Sequence, residues 1–323
     1  MNCKDKVFQL RKNIEDVLIP LIDNDYIYLD LPYHANLGDT LIWQGTLDFL
    51  KKINYKCLMS TSAYGRDFIK VAKQHPKAII LLNGGGNFGD VWSGSNEFRK
   101  NVIRTLPNHK IIILPQTIYY KDENNLECDA LFYSKNTNVI ICARDRKSLN
   151  ILETKFPNNQ HLLLPDMAFC MNVDVYRKTV KRKNAIFIKR MDKELSNNNT
   201  IYDIVPNDAD ISDWPTIENN KLKYKFINII NRYANAIKRH FKINLFIDLY
   251  DLYWHLILKN KQLFQAVDFI DKYENIYTTR MHAVILGVLL EKSNIIAFDN
   301  SYGKTSSFIE SWLSDVDNLK LIK

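Results

Sequence analysis

The sequence is poor in the residues that characterise disulfide-rich, collagen-like and linker-dominated proteins. Of its 323 residues, 10 are glycine, 9 are proline and 5 are cysteine. So few glycines and prolines exclude a collagen-like or low-complexity chain. The cysteines are odd in number and never spaced Cys-x-x-Cys, which favours reduced thiols in a cytosol over a disulfide framework or a zinc site. They are Cys3, Cys57, Cys128, Cys142 and Cys170.

The sequence also lacks a long apolar run and a leader-like start. The longest apolar stretch of the C-terminal part runs from Val284 to Leu290, far short of the ~20 residues that span a bilayer. Residues 1–6 do not open a basic-then-apolar leader. Apolar residues make up 46% of the chain and charged residues 25%, which is typical of globular proteins. We therefore expect a soluble, cytoplasmic protein that is not exported.

Positive charge is in moderate excess and is dispersed along the chain. Lys and Arg number 44 against 36 Asp and Glu, which gives a net charge of +8. One modest basic cluster lies at 177–183, and no signature of an RNA- or DNA-binding module accompanies it. We therefore predict no nucleic-acid partner, and we expect basic surface to face phosphate groups or acidic lipid headgroups.

Short β-branched runs alternate with helical patterns along the whole chain. In the first half the patterns predict strands at 26–31, 56–59, 78–83, 110–114, 139–143 and 162–164, and helices at 39–52, 67–73, 96–105 and 146–156. In the second half they predict strands at 185–189, 244–248, 275–279 and 294–298, a polar loop at 196–200, and helices within 217–239, 281–290 and 305–313.

This alternation predicts parallel βαβ units in doubly wound sheets. We predict an α/β fold of two Rossmann-like domains that face a cleft, one at 1–178 and one at 179–323, with the basic cluster as linker. We expect the last helix to pack back on the N-terminal domain. In such sheets, ligands bind beyond the carboxyl ends of the strands, so polar residues at strand ends are the candidates for a site.

Two polar clusters follow predicted strands of the first half, at 34–40 and 83–90. In the first, Asp39 either caps the following helix or is a carboxylate that orients or deprotonates a hydroxyl in the cleft. The second holds three consecutive glycines, which mark a tight turn or a close approach of backbone to a ligand or another segment. Its N–H groups can form a nest for an anion. It is neither a P-loop nor a dinucleotide fingerprint.

Three further clusters follow predicted strands at 142–148, 278–282 and 299–304. Arg144 either binds a carboxylate or phosphate, or it or Arg146 forms a surface ion pair with Asp145, which could equally cap the following helix. Arg280 and His282 bracket a helix start, where anions are favoured. His282 either donates a proton or is structural. Lys304 either reaches the same cleft or belongs to a solvated turn.

Motifs for metal-dependent and acyl-transfer chemistry are missing from the sequence. No His-Glu-x-x-His or EF-hand pattern is present, so the sequence predicts no metal site. No Gly-x-Ser-x-Gly motif is present, which argues against a serine nucleophile.

The strand-end clusters together resemble the polysaccharide pyruvyltransferases, above all the bacterial exopolysaccharide and capsule members. Each motif is weak alone, but their order and spacing cover the chain from residue 26 to about 312. The motifs are Asn36-Leu37-Gly38-Asp39, Asn83-Gly84-Gly85-Gly86-Asn87, Leu114-Pro115-Gln116, Ala143-Arg144-Asp145, Pro165-Asp166-Met167-Ala168-Phe169, Thr279-Arg280-Met281-His282 and Asp299-Asn300-Ser301-Tyr302-Gly303-Lys304.

The resemblance implies a GT-B-like pair of domains, phosphoenolpyruvate as donor, and metal-independent formation of a ketal on two hydroxyls of a glycan sugar. No cofactor is implied besides the donor substrate. The family's active-site residues fall on Asp39, Arg144, Arg280 and His282, and Asp39, His282 and Arg144 are the predicted catalytic residues. Thr279 departs from the acidic residue that many members carry there. The predicted donor-binding residues are Arg144, Arg280, His282, Lys304, Gly85, Gly86 and Asn87.

The glycan acceptor is expected to be lipid-linked or nucleotide-activated. Its predicted contacts are Asn36, Trp92, Tyr119 and Tyr120, although packing explains the three aromatic residues equally well. We expect peripheral contact with the inner face of the cytoplasmic membrane, through residues 177–183 or the N-terminal amphipathic segment. Two alternatives stay open: a metal-independent GT-B glycosyltransferase that uses a nucleotide sugar, and a non-catalytic glycan- or nucleotide-binding protein.

Overall fold

A computed structural model describes residues 1–34, 36–63, 65–178, 183–189, 203–215, 221–241, 245–299 and 303–323. Two sheets of parallel strands, covered by helices, make a mixed α/β fold, so the predicted α/β class is confirmed and the arrangement as two Rossmann-like domains stays a prediction. The polar loop expected at 196–200 lies outside the described residues. The predicted boundary between 178 and 179 adjoins residues 179–182, which also lie outside them, and it stays a prediction.

The first sheet has seven strands. They are β1 (Tyr26–Leu29), β2 (Cys57–Thr61), β3 (Ile79–Leu82), β4 (Gly85–Gly89), β5 (Ile111–Tyr119), β6 (Val139–Ala143) and β7 (Gln160–Leu163). The helices of this half are α1 (Cys3–Leu21), α2 (Leu37–Leu50), α3 (Phe68–Gln74), α4 (Ser93–Thr105), α5 (Glu123–Ser134) and α6 (Arg146–Lys155).

The order of the strands in this sheet places the candidate site. It is β2-β1-β3-β5-β6-β7, with β4 paired to the far end of β5. The direction of winding reverses between β1 and β3, and such a switch point opens a crevice beyond the carboxyl ends of the strands. The glycine-rich segment and the start of α2 follow these two strands.

The second sheet has five strands in the order β12-β11-β10-β8-β9. Its strands are β8 (Lys183–Ile188), β9 (Asp210–Ser212), β10 (Tyr273–Thr278), β11 (Asn294–Phe298) and β12 (Leu319–Ile322). The helices of this half are α7 (Lys221–Phe241), α8 (Leu245–Tyr253), α9 (Lys259–Asp271), α10 (Met281–Leu289) and α11 (Lys304–Trp312), with a π-helical turn at Trp254–Leu258 between α8 and α9.

The structure corrects two of the sequence-based expectations for secondary structure. The strand predicted at 244–248 is wrong, because its described part begins α8. Apolar residues recur every three or four positions well beyond 248, and that spacing is helical. Of the two interpretations of the glycine-rich segment, the tight turn is wrong, because the segment continues into β4 along the free edge that β5 offers where it projects past β3.

One apolar core joins the two sheets. It contains Tyr28 and Ile112 from the first sheet and Ile186 and Ile295 from the second. Helices α1, α2, α9 and α10 contribute to the same core. The residues that follow the strands of both sheets are therefore fixed relative to one another by shared packing.

Candidate active site

The start of α2 presents Asp39 beside the first strand. Asn36 is the N-cap of α2, since its side chain accepts a hydrogen bond from the backbone N–H of Gly38 at 3.0 Å. The capping interpretation of Asp39 is therefore wrong. Asn36 also donates to the Asp39 carboxylate at 2.9 Å, and Nε2 of His34 lies 3.6 Å from it. Asp39 is thus a partly exposed carboxylate in the positive first turn of a helix.

Gly86 lies against two cations from different parts of the chain. A methyl group placed on Gly86 would be 2.5 Å from Nζ of Lys304 and 2.9 Å from Nη2 of Arg144. A methyl group on the neighbouring Gly85 would be 3.5 Å from Oδ1 of Asp39. Glycine is required at position 86 because any side chain would displace one of these cations. We call Arg144, Lys304 and Gly86 the cation cradle.

Arg144 is fully buried at the end of β6. Its Nε donates to Oγ1 of Thr117 at 2.8 Å, and its Nη1 donates to Oδ2 of Asp166 at 2.7 Å. Among the described residues, its Nη2 has no hydrogen-bond partner. The surface ion-pair interpretation is therefore wrong, and Asp145 instead caps α6 by accepting from the N–H of Ser148. A buried guanidinium whose Nη2 group has no hydrogen-bond partner is suited to bind an anion.

Asp166 links Arg144 to His282. Its side chain is fully buried, and its Oδ2 lies 3.5 Å from Nε2 of His282. Burial by itself raises the pKa of Asp166, but His282 and then the charge of Arg144 hold that pKa well below its usual range. Asp166 is therefore an anion that neutralises the buried Arg144 and lies beside the imidazole of His282.

His282 also contacts the first turn of α2. A methyl group on Gly38 would overlap the imidazole ring, since it would lie 2.8 Å from Cγ of His282. His282 therefore lies between Asp166 and the turn that carries Asp39. Of the predicted site residues, the structure brings together Asp39, Gly85, Gly86, Arg144, His282 and Lys304.

Arg280 lies at the N-cap position of the helix that carries His282. Its guanidinium pairs with both carboxylate oxygens of Asp213, with Nη2 and Oδ2 at 2.7 Å. Asp213 directly follows β9 and was not predicted. The side chains of Arg280 and Asp213 are partly exposed, at 14% and 21%. Arg280 is therefore a cation that Asp213 holds in place at the edge of the site.

Asn87 is held in place by a buried arginine of α4. Nη1 of Arg99 donates to Oδ1 of Asn87 at 2.7 Å, and Nη2 donates to its backbone oxygen. Nη1 also lies 3.7 Å from Oδ2 of Asp30, at the end of β1. Burial raises the pKa of Asp30 to about 7 against the opposing effect of Arg99. These contacts fix the strand that carries Gly85 and Gly86.

The predicted acceptor-binding aromatic residues differ in exposure. Trp92, just before α4, is 57% exposed. Tyr119 is half-buried at the end of β5. Tyr120 packs against the core, and its hydroxyl donates to Asp129 at 2.8 Å. Of the three, Trp92 has the most ring surface open to a ligand.

Sequence reasoning did not assign roles to four residues of this region: Asp30, Arg99, Asp166 and Asp213. Asp30 directly follows β1 but lay inside the strand predicted at 26–31, and Asp213 follows β9, a strand that the sequence did not predict. Asp166 stands in one of the quoted motifs, and its burial beside Arg144 and His282 is a long-range contact. Arg99 has no local signal, because it reaches Asn87 from the middle of a helix.

Neither a metal cluster nor a membrane-spanning helix is found in the described part of the chain. No three of its His, Cys, Asp and Glu side chains are arranged to hold a metal ion. None of its helices is both long enough and apolar enough to cross a bilayer.

Comparisons with known proteins identify the family of this chain. A family model described as "Polysaccharide pyruvyl transferase" matches residues 36–302. The Bacillus subtilis protein named "Putative pyruvyl transferase EpsO" is 30% identical over 100% of this chain and 96% of its own length. "Pyruvyl transferase 1" of Schizosaccharomyces pombe is 22% identical over 88% of this chain and 69% of its own.

A solved structure shares the fold. It is an uncharacterized protein, KP1_0663, from Klebsiella pneumoniae, and it is 18% identical with a TM-score of 0.61 over 97% of this chain and 98% of that one. At this identity the likeness concerns the fold. The family match, which covers most of the chain, confirms the resemblance seen in the sequence. The chain therefore belongs to the polysaccharide pyruvyl transferase family and is an enzyme that transfers pyruvyl groups.

Proposed function

We propose that the enzyme transfers the pyruvyl group of phosphoenolpyruvate to two hydroxyls of one sugar in a cell-surface polysaccharide precursor, and that it forms a cyclic ketal and releases phosphate. The observation that carries the proposal is the cation cradle, in which the buried Arg144 directs an unused N–H group toward Gly86 and Lys304. The two sheets belong, in this proposal, to Rossmann-like domains in a GT-B-like arrangement, and the donor lies where they meet.

The donor carries a carboxylate and a phosphate, so its site needs at least two cations. Arg144 and Lys304 supply them beside a glycine that leaves room for the ligand. Arg280, held by Asp213, adds a third cation at the edge of the site. Gly85 contributes backbone, and Asn87 acts by keeping this strand in place through Arg99. Arginine is favoured here because its planar group binds carboxylate and phosphate through two parallel N–H groups.

The reaction requires a proton for the donor and a base for the acceptor. Protonation of the donor methylene at C3 makes C2 electrophilic, and the oxygen of the first hydroxyl then bonds to C2. The C2–O bond to phosphate breaks, and the second hydroxyl closes the ring. Two hydroxyl protons are released, one proton enters the new methyl group, and one is taken up by the departing phosphate. We assign proton donation or support of phosphate departure to His282, and activation or orientation of a hydroxyl to Asp39.

The geometry supports this division of roles. His282 lies between the anion Asp166 and the helix turn that carries Asp39, so the two groups face a shared space near the cation cradle. Asn36 holds Asp39 by a hydrogen bond and lies where it can contact the sugar. Trp92 is exposed and offers a face on which a pyranose can stack. Fixing both hydroxyls next to C2 lowers the entropic part of the barrier.

The test measures phosphate release and product mass with phosphoenolpyruvate and a panel of aryl glycosides. We expect phosphate and a ketal product from one acceptor class, with both lost in Asp39→Asn and His282→Gln. His75→Gln, on an exposed histidine outside the site, is the matched control. Full phosphate release by either site variant would remove the role assigned to that residue. Thermal stabilisation by UDP- or GDP-sugars, without stabilisation by phosphoenolpyruvate, would point to glycosyl transfer and refute the proposal.

A further inference from the structure

The second half of the chain exposes a large apolar surface that the active site does not use. Eleven of the twenty-two large apolar side chains that are exposed in the described part of the chain belong to α7, α8 and the π-helical turn. We call these eleven residues the outer apolar surface. Single exposed apolar residues are common, but a concentration of this kind marks an interaction surface.

On α7, the exposed apolar residues form a stripe along one face. Phe226, Ile229, Ile230 and Tyr233 are 64%, 47%, 38% and 68% exposed. Their spacing is that of a helix face that packs against a core. The core-facing side is centred on other residues, since Ile227 packs against the core and Ala234 is buried. The helix therefore presents a second, unpartnered apolar stripe to its surroundings.

The next helix repeats this arrangement. Leu249, Leu252 and Leu256 are 53%, 52% and 61% exposed at successive turns of α8 and the π-helical turn. On the opposite side, Ile247 and Trp254 are buried. Helices α7 and α8 contact each other, so the two exposed stripes lie on neighbouring helices.

Charge identifies the occupant of this surface. The 21 residues of α7 include six Lys and Arg and no Asp or Glu. A helix that combines an apolar stripe with many basic residues is typical of proteins that lie in the membrane interface. A twofold contact with a second copy would bring two such cationic helices together. We infer that the outer apolar surface docks the enzyme onto a bilayer that contains anionic lipid headgroups.

Helix α1 and the described part of the segment 177–183, which excludes residues 179–182, make other contacts within the fold. Helix α1 buries its apolar residues Leu10, Ile14 and Leu18 in the core. Arg177 pairs with Asp271 at 3.2 Å. The inferred contact therefore lies on different elements.

The segment made of α8, the π-helical turn and α9 connects the outer apolar surface to the loop before Asp39. Its inner side stacks Trp254 on Tyr33, with ring centroids 5.1 Å apart. Further along, Gln262 donates to the backbone oxygen of His34 at 3.1 Å and accepts from Thr40 at 2.6 Å. One helix thickness, about 10 Å, therefore separates the surface from the loop before Asp39. On the proposed function, a docked enzyme would hold this edge near the acceptor; the docking itself does not depend on that function.

The experiment is flotation of the full-length protein with lipid vesicles. Vesicles of phosphatidylcholine mixed with phosphatidylglycerol should carry the wild-type protein, and added salt should weaken the binding. The combined variant should bind the vesicles at least about tenfold more weakly, because the bilayer would bury these four side chains in the contact. It carries Phe226→Ser, Leu249→Ser, Leu252→Ser and Leu256→Ser.

The matched control carries four equally exposed apolar residues from other faces. Phe8→Ser, Leu131→Ser, Val175→Ser and Ile211→Ser change side chains that are 60–71% exposed, and the combined variant should float like the wild type. A second readout is Tyr233→Trp, whose emission should be quenched by brominated lipids more than that of the wild type. This single change leaves the surface in place and does not depend on how the fourfold variant folds.

Three results would overturn the inference. One is wild-type protein that stays in solution with anionic vesicles. Another is equal flotation of the wild type and the fourfold surface variant. The third is a wild-type dimer in light scattering that becomes a monomer in the surface variant without vesicle binding by either, which would assign the surface to a second copy. Flotation involves no turnover, so a negative result here leaves the proposed reaction standing.

Discussion

Asp30 is a buried carboxylate that the fold holds at the end of β1. Its backbone φ is +65°, and its side chain is 8% exposed. Burial raises its pKa to about 7; Arg99, 3.7 Å away, opposes the rise, and Asp39 adds to it. Keeping this carboxylate charged at neutral pH therefore costs the folded protein free energy. Asn has the same shape and also tolerates a positive φ, so Asp30→Asn removes the charge and keeps the backbone.

The sign of the expected effect follows from the two protonation states. In the unfolded chain Asp30 has an ordinary pKa, 3.8, so between about pH 4 and pH 7 only the folded protein holds its proton. The stability that Asp30 contributes is thus fully present below pH ~4 and is lost as the pH rises through about 7. At about 1.4 kcal/mol for each pKa unit, the loss is at most about 4 kcal/mol. Asp30→Asn lacks this loss, so it should be more stable than the wild type at pH 8 and nearly equal at pH 4.

Urea denaturation of both proteins at pH 4, 6 and 8 measures the difference. We expect the free energy of unfolding of Asp30→Asn to exceed that of the wild type by up to about 4 kcal/mol at pH 8, with the gap closing toward pH 4. Asp16→Asn, at an exposed position, is the control and should show no such pH-dependent gap. A variant that is less stable than the wild type at pH 8 would mean that Arg99 stabilises the ionised carboxylate, and it would refute this reasoning.

Two further predictions concern the cation cradle. Asp166→Asn should lower the free energy of unfolding by about 3–5 kcal/mol, because it leaves the buried Arg144 without its anion; unchanged urea stability would contradict the buried pair. Gly86→Ala should weaken phosphoenolpyruvate binding at least about tenfold in calorimetry, because its methyl group would lie 2.9 Å from Nη2 of the buried Arg144, in the space proposed for the donor. Gly94→Ala, where a methyl group meets no atom within 4 Å, is the matched control, and equal binding by both variants would show that the cradle does not hold the donor.

Local sequence pattern predicted most of the strand ends at which the residues of the candidate site lie. The strand predicted at 139–143 is observed as β6, and the rule that ligands bind beyond strand ends then selected Arg144. The same rule selected the start of α10 with His282. Such predictions succeed because apolar periodicity and the parallel arrangement of strands are both properties of contiguous residues.

The contacts that give the site its electrostatic character could not be predicted in this way. Asp166 and His282 are 116 positions apart in the chain, and Asp213 reaches Arg280 from a strand end in the same sheet. Neither pairing leaves a periodic or capping signal. The strand expected at 244–248 failed for a related reason, because a short apolar run is compatible with both a strand and a helix, and only the longer spacing distinguishes them.

The unused N–H group of Arg144 connects stability to ligand binding. A buried donor without a partner costs about 1–3 kcal/mol, and more when the group is charged. Asp166 and Thr117 satisfy the other side of this guanidinium, so the remaining cost is confined to Nη2, which faces Gly86. An anion bound there would supply the missing acceptor, and part of its binding free energy would come from relieving a cost that the folded protein already bears. This cost should therefore lower the free energy of unfolding of the enzyme without donor. Anion binding should raise that free energy by more than charge attraction alone would give.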